Sequence, residues 1–128
     1  MEPTIRHLTF DCAGEPYELA GFWAALLGRS ISSTDEPGDE EVLVEAPDEG
    51  PGLLFVRAEE RGAVRSGIHL DLQPTDRTRA EEVARALDLG ARLVADRTTE
   101  NGRGWVVLAD PEGNEFCVEG GARDRAGG

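Results

Sequence analysis

An internal repeat constrains the fold of this chain more than any other feature. His7 precedes Gly28 by 21 residues and His69 precedes Gly90 by the same distance, so an offset of 62 residues relates the two segments. Each segment starts with the alternation of a strand and continues with the apolar spacing of an amphipathic helix. Stacked repeat arrays need three or more units, so two copies of about 60 residues predict a duplicated domain.

Each copy is predicted to contain one helix that follows its first strand. In the first copy, residues 5–12 alternate, and a helix starts at Glu15-Pro16 and ends at Gly28, because proline suits the first helical position and glycine suits the end. In the second copy, a helix starts near Asp76 and ends at Gly90. Its apolar stripe predicts four buried residues: Ala80, Val83, Ala84 and Leu87.

The same offset aligns the later apolar segments of the two halves. Ile31 falls on Leu93, at the start of a second strand in each copy, and each copy then continues with two more strands. We therefore predict an α+β fold of two tandem β-α-β-β-β modules, at about residues 4–60 and 67–119. Residues 1–120 are expected to form a single domain, and residues 121–128 a flexible tail.

Composition limits the classes of partner. The chain has 13 basic and 26 acidic residues and a net charge of −13, which argues against nucleic-acid binding because phosphates require Lys and Arg. No apolar stretch approaches the roughly 18 residues that cross a bilayer. With two cysteines and no signal-peptide pattern, we expect a cytoplasmic protein. The charge is compatible with a small neutral or cationic ligand, and a homodimer is the default assembly.

The two histidines are candidate metal ligands. His7 and His69 are the only histidines in the chain, and they occupy the same position of the repeat. Neutral imidazole commonly binds zinc, iron, nickel and manganese. In the alternative interpretation, each histidine begins a strand and makes hydrogen bonds near the rim of its sheet. The residues alone leave both interpretations open.

Five further residues are candidate ligand contacts. Asp11 follows His7 by four residues and Asp71 follows His69 by two, so each shares a face with its histidine, where it orients an imidazole, contacts a ligand or caps a strand. Trp105 is predicted to face the same side, as an aromatic platform or as packing. The offset aligns Phe55 with Cys117 in the fourth strands. Cys117 is interpreted as a metal ligand, a nucleophile or a small buried residue.

Three segments carry a resemblance to a known superfamily. They are residues 19–28 (LAGFWAALLG), residues 69–72 (HLDL) with 89–91 (LGA), and residues 110–116 (DPEGNEF). In this order and spacing they resemble the vicinal oxygen chelate superfamily, which includes glyoxalase I, extradiol dioxygenases and bleomycin-resistance proteins. Within it, the chain is similar to the small glyoxalase-like branch common in actinobacteria. The resemblance covers about residues 4–120 and implies a curved mixed sheet around a central cavity.

The resemblance also implies where a metal would bind. The metal enzymes of the superfamily take their ligands from the first and fourth strands of the modules, and His7 and His69 match two of these positions. Cys117 stands where the superfamily pattern has a glutamate, and Phe55, which cannot coordinate a metal, stands at the equivalent place in the first module. The ligand set that the pattern implies is therefore incomplete.

Three interpretations of the incomplete set are open. Cys117 completes a His-His-Cys site that favours zinc, or Glu115 or Glu119 supplies the third ligand, or no metal binds and the cavity holds an organic molecule. We favour the third interpretation, because losing an anionic ligand weakens a site for a hard metal. The turn at residues 110–114 is predicted to be structural, since Pro, Gly and Asn suit its backbone.

These interpretations lead to three candidate functions. The favoured one is a glyoxalase/bleomycin-resistance-like protein that binds a small organic ligand without a complete metal site. The alternative is a metal-dependent lyase, isomerase or dioxygenase in which His7 and His69 hold zinc, nickel, manganese or iron. The third is a regulatory or scaffolding dimer with an empty cavity. No catalytic residue and no definite cofactor is assigned from the sequence.

Overall fold

The structure divides the chain into two compact units, Met1–Val64 (unit 1) and Arg65–Gly128 (unit 2). It is a computed structural model, and it describes residues 1, 4–46, 50–58 and 69–126. The predicted module boundary at residues 60–67 and the last tail residues, 127–128, lie outside the described residues. In the described ranges, no helix is long and apolar enough to cross a membrane.

In the residues that the structure describes, unit 1 contains three strands and one helix. The elements are β1 (His7–Cys12), α1 (Pro16–Leu27), β2 (Glu41–Val44) and β3 (Gly52–Arg57). The strand order in the sheet is β1-β3-β2, with β1 parallel and β2 antiparallel to β3. The strand predicted at Ile31 is present as an isolated antiparallel bridge to Val44. Unit 1 therefore keeps the order of the predicted module, with its second strand reduced to one bridge.

Unit 2 contains the full set of predicted elements. They are β4 (Leu70–Leu72), α2 (Arg79–Leu89), β5 (Arg92–Asp96), β6 (Trp105–Ala109) and β7 (Glu115–Glu119), followed by α3 (Ala122–Ala126). The strand order is β4-β7-β6-β5, with β4 parallel to β7 and the other pairs antiparallel. In both units the first strand pairs in parallel with the last. This pairing confirms the α+β class and the two tandem β-α-β-β-β modules.

Local chemistry sets both ends of α1, as the sequence predicts. The Glu15 carboxylate is the N-cap and accepts a hydrogen bond from the Tyr17 amide at 3.4 Å. Pro16 begins the helix at a position where a backbone N–H would have no helical acceptor, so proline costs no hydrogen bond there. Gly28 ends the helix with a φ of 65°, a left-handed conformation that glycine adopts without strain, and its amide donates to carbonyls of the last turn.

The core of unit 1 is aromatic and lies between α1 and the sheet. The Phe10 ring centroid is 5.6 Å from that of Trp23 and 4.8 Å from that of Phe55. Phe22 meets Trp23 edge-on at 5.4 Å. Because Trp23 and Phe55 are both almost fully buried, they contribute a large share of the apolar surface that unit 1 removes from water. The buried residues of α1 are Pro16, Leu19, Ala20, Phe22, Trp23, Ala24 and Leu26.

The second helix begins later than predicted, because a capping box sets its start. The Thr78 side chain accepts a hydrogen bond from the Glu81 amide at 3.1 Å, and the Glu81 carboxylate accepts one from the Thr78 amide at 2.9 Å. Each side chain thus satisfies an amide that the helix leaves unpaired. The helix therefore starts at Arg79 instead of near Asp76.

The predicted buried stripe of α2 is wrong. Ala80 and Ala84 are exposed and Leu87 is 40% exposed, whereas Ala86 is fully buried and Val83 half-buried. The helix is turned by about one residue from the predicted orientation, and it packs against β7. The stripe on the buried side, Arg79, Glu82, Val83 and Ala86, is less apolar than the predicted one, so packing on the sheet and not apolar content decides which stripe is buried.

The segment predicted as a flexible tail contains the short helix α3. The Asp124 carboxylate accepts hydrogen bonds from the Arg79 amide at 2.9 and 3.1 Å and from the Gly121 amide at 2.9 Å. The Arg79 amide lies at the N-terminus of α2, where backbone N–H groups lack helical partners and a negative charge is favourable. Asp124 therefore attaches α3 to the start of α2.

Candidate functional site

Each sheet has one face that packs toward its helix and an opposite face that carries a histidine. Directly paired residues share a face, as do residues two apart along a strand, so the strand register assigns each side chain. The "histidine face" is here the face that bears His7 in unit 1 or His69 in unit 2. On the opposite face, Phe55 in unit 1 and Phe116 in unit 2 are fully buried.

The histidine face of unit 1 receives no donor side chain from its last strand. His7 is half-buried and pairs with Gly52, and Asp11 is exposed and pairs with Val56. A Cβ atom at Gly52 would lie 3.1 Å from the Val44 carbonyl oxygen and 3.2 Å from Leu43 Cδ1, which is tight, whereas its distance of 3.6 Å from His7 Cδ2 would be ordinary contact. On this face β3 presents Gly52, Leu54 and Val56, none of which can coordinate a metal.

A groove in unit 1 passes beside His7. Its volume is about 730 Å³, which lies within the roughly 300–1,000 Å³ of small-molecule pockets. The groove combines an imidazole, a guanidinium and a carboxylate with apolar side chains. It is lined by Thr4, Ile5, Arg6, His7, Leu43, Glu45, Ala46, Gly50 and Gly52. Its size and mixed polarity suit a small organic molecule.

Phe55 is not on the histidine face, contrary to the expectation from the repeat. Phe55 and Val118 hold equivalent places in the strand ladders of the two units, so the last strands align one residue away from the 62-residue offset. The equivalent of Cys117 in unit 1 is Leu54. Because side chains alternate along a strand, this shift moves Phe55 to the helix side, where it is buried against Phe10.

Unit 2 brings three candidate metal ligands together on its histidine face. Asp71 of β4 pairs directly with Cys117 of β7, and His69 lies two residues before Asp71. His69 Nε2 is 3.2 Å from Asp71 Oδ1. One ligand atom from each of the three residues lies within 4.8 Å of the other two. Cys117 is 8% exposed, whereas about half of each of the other two side chains is exposed, so the cluster can be reached from solvent.

The surroundings of Cys117 favour the protonated thiol. Burial raises the pKa of the Cys117 thiol, and the Asp71 carboxylate raises it further through its negative charge and a hydrogen bond with the thiol. Glu119 and Glu115 add to the increase. A cysteine nucleophile needs the opposite effect, a lowered pKa. The site therefore does not activate Cys117 as a nucleophile, and a metal bound there would have to displace the thiol proton.

An exposed tryptophan completes the histidine face of unit 2. Trp105 of β6 pairs with Glu119, and Val107 pairs with Cys117, so Trp105 lies on the predicted side. Its side chain is 46% exposed, although it is large and mostly apolar. An indole among carboxylates can bind apolar or cationic molecules. Among the described residues, the metal-ligand cluster contains neither Glu115 nor Glu119.

Asp110 organises the turn that leads into β7. It is fully buried, its Oδ1 accepts hydrogen bonds from the Glu112 and Asn114 amides at 2.9 Å, and its Oδ2 accepts one from Asn114 Nδ2 at 2.8 Å. Gly113 has a φ of 90°, which glycine tolerates. The turn is structural, in agreement with its sequence, and it determines where β7 begins and hence where Cys117 lies.

Comparison with protein families identifies the fold family. Residues 7–119 match the family described as the glyoxalase-like domain. The chain belongs to this family. The match spans both histidine faces, and it confirms the resemblance to the glyoxalase, bleomycin-resistance and dioxygenase superfamily. The narrower branch common in actinobacteria stays a prediction.

Solved structures share the fold of this glyoxalase-like chain. The fosfomycin resistance protein FosX from Mesorhizobium loti has 16% identity, full coverage of both chains and a TM-score of 0.65. A glyoxalase/bleomycin resistance protein/dioxygenase family enzyme from Burkholderia phytofirmans PsJN has 18% identity, coverage of 88% of this chain and 94% of the other, and a TM-score of 0.62.

TnmS3, an antibiotic-binding protein from Streptomyces sp. CB03234, has 17% identity, coverage of 92% of this chain and 95% of the other, and a TM-score of 0.62. At such low identities the likeness shows the fold alone. No curated protein sequence matches the chain.

The donor atoms in this glyoxalase-like domain differ from the set that the superfamily pattern implies. That pattern has a carboxylate on the last strand, but here Cys117 of β7 places a thiol among an imidazole and a carboxylate. This mixed set fits a zinc-class ion better than magnesium or calcium. From the sequence, Asp71 is predicted only to contact a ligand, orient an imidazole or cap a strand. The spacing of two residues from His69 is the signal that marks it as a further donor.

Proposed function

We propose that this chain binds a small organic ligand on the histidine faces of its sheets, without the complete metal site of the superfamily pattern. Trp105 carries the proposal, because a large aromatic side chain is 46% exposed on a sheet face that also holds a few polar groups. Apolar surface with a few convergent polar groups is typical of ligand sites. The shared fold of FosX, a fosfomycin resistance protein, and TnmS3, an antibiotic-binding protein, supports it.

The chemistry of the face favours a neutral or cationic aromatic ligand. Asp71, Glu115 and Glu119 share the face with Trp105, and the whole chain has a net charge of −13. These carboxylates attract a cation and repel an anion. A cation over an indole ring gains about 0.5–2 kcal/mol, depending on how far it is desolvated. In unit 1, His7 in its groove and Asp11 are further proposed contacts.

Fluorescence titration tests this proposal with two probes of opposite charge. Proflavine, a planar aromatic cation, is expected to bind, and anilinonaphthalene sulfonate, an aromatic anion, is expected to bind far more weakly. Trp105→Ala should weaken proflavine binding about tenfold, since one cation–π contact contributes roughly 1–2 kcal/mol. Trp105→Phe should retain most of the affinity. Equal proflavine affinity in the wild type and Trp105→Ala, or no proflavine binding, would contradict the proposal.

We also infer that residues 1–120 act as one domain in a cytoplasmic homodimer. The family match covers residues 7–119 without a break between the units, and both cysteines are thiols, as expected in a reducing compartment. Denaturant unfolding is then expected to show one transition, and sedimentation should give the dimer mass. Two separate unfolding transitions would refute the single domain, and a monomer mass would refute the homodimer.

A second candidate function is that of a metal-dependent lyase, isomerase or dioxygenase that uses both His7 and His69. The cluster of His69, Asp71 and Cys117 favours it, since a metal held there would polarise a substrate oxygen. Metal analysis of protein purified without a histidine tag separates the two candidates. Stoichiometric metal that is lost in both His7→Ala and His69→Ala would support the enzyme. Protein that stays metal-free after incubation with zinc, nickel, manganese and iron would exclude it.

A further inference from the structure

We infer that unit 2 by itself forms a three-ligand site for a zinc-class metal ion, built from the His69 imidazole, the Asp71 carboxylate and the Cys117 thiolate. This inference goes beyond the proposed function, because it requires no organic ligand. It also differs from the second candidate function, because it requires no contribution from His7. All three ligands lie on β4, on β7 or immediately before β4.

The strand pairing brings the three donors together. Asp71 and Cys117 are direct partners in the parallel β4–β7 ladder, and the alternation of side chains places His69 on the same face. The two strands thus position Asp71 and Cys117, and His69 directly precedes β4.

The distances are close to those of a loaded site. The three donor atoms lie within 4.8 Å of one another. Donors bound to one tetrahedral zinc at about 2.0–2.3 Å lie roughly 3.3–3.8 Å apart. Closing the site therefore requires shifts of roughly 1 Å in donor separation. The side chains of His69 and Asp71 are 53% and 51% exposed, so they have room to make that adjustment, whereas Cys117 is held by the sheet.

The donor types select the class of metal. Thiolate and imidazole ligands favour zinc and similar ions such as cobalt, whereas magnesium, calcium and manganese favour sites made of oxygen atoms. Three protein ligands leave a fourth position for water or for an oxygen atom of a bound molecule, as in catalytic zinc sites. Glu115 and Glu119, next to Cys117 on the same face, add negative charge that favours a cation.

Cobalt titration of the full chain tests the inference, and the chain contains its own matched controls. Chelator-treated protein is titrated with cobalt(II), and binding is followed by the absorption band that arises only from a thiolate bonded to cobalt. Zinc affinity is then measured by displacement of cobalt in the presence of excess magnesium. His69→Gln is compared with His7→Gln, and Cys117→Ser with Cys12→Ala, with circular dichroism as a check of folding.

The wild type should bind one equivalent of cobalt with the thiolate band, and zinc should displace it. His69→Gln should weaken binding at least tenfold, and Cys117→Ser should abolish the band. His7→Gln and Cys12→Ala should leave both unchanged. Asp71→Asn, a nearly isosteric change at a half-exposed side chain, should weaken binding without changing the fold, so the test does not depend on one variant.

Three results would overturn the inference: no cobalt or zinc binding by the wild type, a thiolate band that persists in Cys117→Ser, or equal losses in His7→Gln and His69→Gln. Proflavine binding by the same chelator-treated protein is recorded in parallel. Metal binding and organic-ligand binding are thus measured separately, so the failure of the metal site can be distinguished from the failure of the proposed function.

Discussion

Units 1 and 2 share their strand pairing but differ in what each face carries. Helix α1 buries seven residues, including Trp23, whereas Ala86 is the buried residue of α2. The histidine faces differ in the opposite sense, because β3 gives that face of unit 1 no donor, while β7 gives unit 2 Cys117 beside Asp71. The comparison teaches that two copies of one topology can differ in composition: among the described residues, unit 1 carries the larger apolar core, and unit 2 carries the cluster of possible metal ligands.

Two tryptophan substitutions, one in each unit, test this difference, and the first has the largest expected effect on stability. Trp23→Ala should lower the free energy of unfolding by about 3–5 kcal/mol, because it leaves a cavity among packed aromatic rings. Trp105→Ala, at a side chain that is 46% exposed, should lower it by less than about 1 kcal/mol. Urea denaturation of both variants measures the difference. Similar losses would mean that the two units do not differ in this way.

Loss of the Asp110 carboxylate should have the next largest effect. Asp110→Ala removes the acceptor of three hydrogen bonds from a fully buried turn and should destabilise the protein by about 2–3 kcal/mol. Amide hydrogen exchange can localise the damage, which should appear in β7 before β3. Asp110→Asn, which retains an acceptor oxygen, is the matched control and should be milder. Equal loss of protection in β3 and β7 would contradict a local role.

Removal of the cap of α2 should have a smaller effect. Thr78→Ala breaks the capping box and should reduce stability by about 1 kcal/mol, whereas Thr78→Ser should preserve the hydroxyl acceptor. Because α2 buries less than α1, hydrogen exchange should accelerate in α2 while α1 stays protected. Unchanged exchange in α2 would show that its packing on β7, rather than its cap, determines its stability.

The smallest expected effect concerns the pH dependence of Cys117. Its pKa is raised by burial first and by Asp71 next, so in metal-free protein it should react with a thiol reagent only when the pH exceeds the ordinary thiol range. Asp71→Asn removes a negative charge, lowers that pKa and should speed the reaction at a fixed alkaline pH. An unchanged rate in this variant would show that Asp71 does not influence the thiol.

The raised pKa of Cys117 also predicts how the stability of the protein changes with pH. A raised pKa in the folded state contributes stability below the ordinary thiol pKa, and this stability is lost as the pH rises through the raised value, because the unfolded thiol ionises first. Stability should therefore decline over this alkaline range in the wild type. The decline should be smaller in Cys117→Ser.

Much of the fold follows from local patterns in the sequence. The 62-residue repeat, the strand alternation around His7 and the two ends of α1 depend on residues close together in the chain. Their physical causes are the period of a strand, the period of a helix, the fixed φ of proline and the left-handed freedom of glycine at residue 28. For the same reason, the face of Trp105 could be predicted from alternation alone.

The tertiary structure decided what depends on the alignment of distant segments. Phe55 and Cys117 match in the repeat, yet the strand ladders make Leu54 the equivalent of Cys117. A shift of one residue in register exchanges the two faces of a strand. The packing of α2 against β7 also determines which residues of that helix are buried. The donor cluster depends on the same kind of alignment, because Asp71 meets Cys117 only through the parallel pairing of β4 with β7. Chain periodicity determines which side chains share a face within one strand, but only the pairing of strands determines which of them become neighbours.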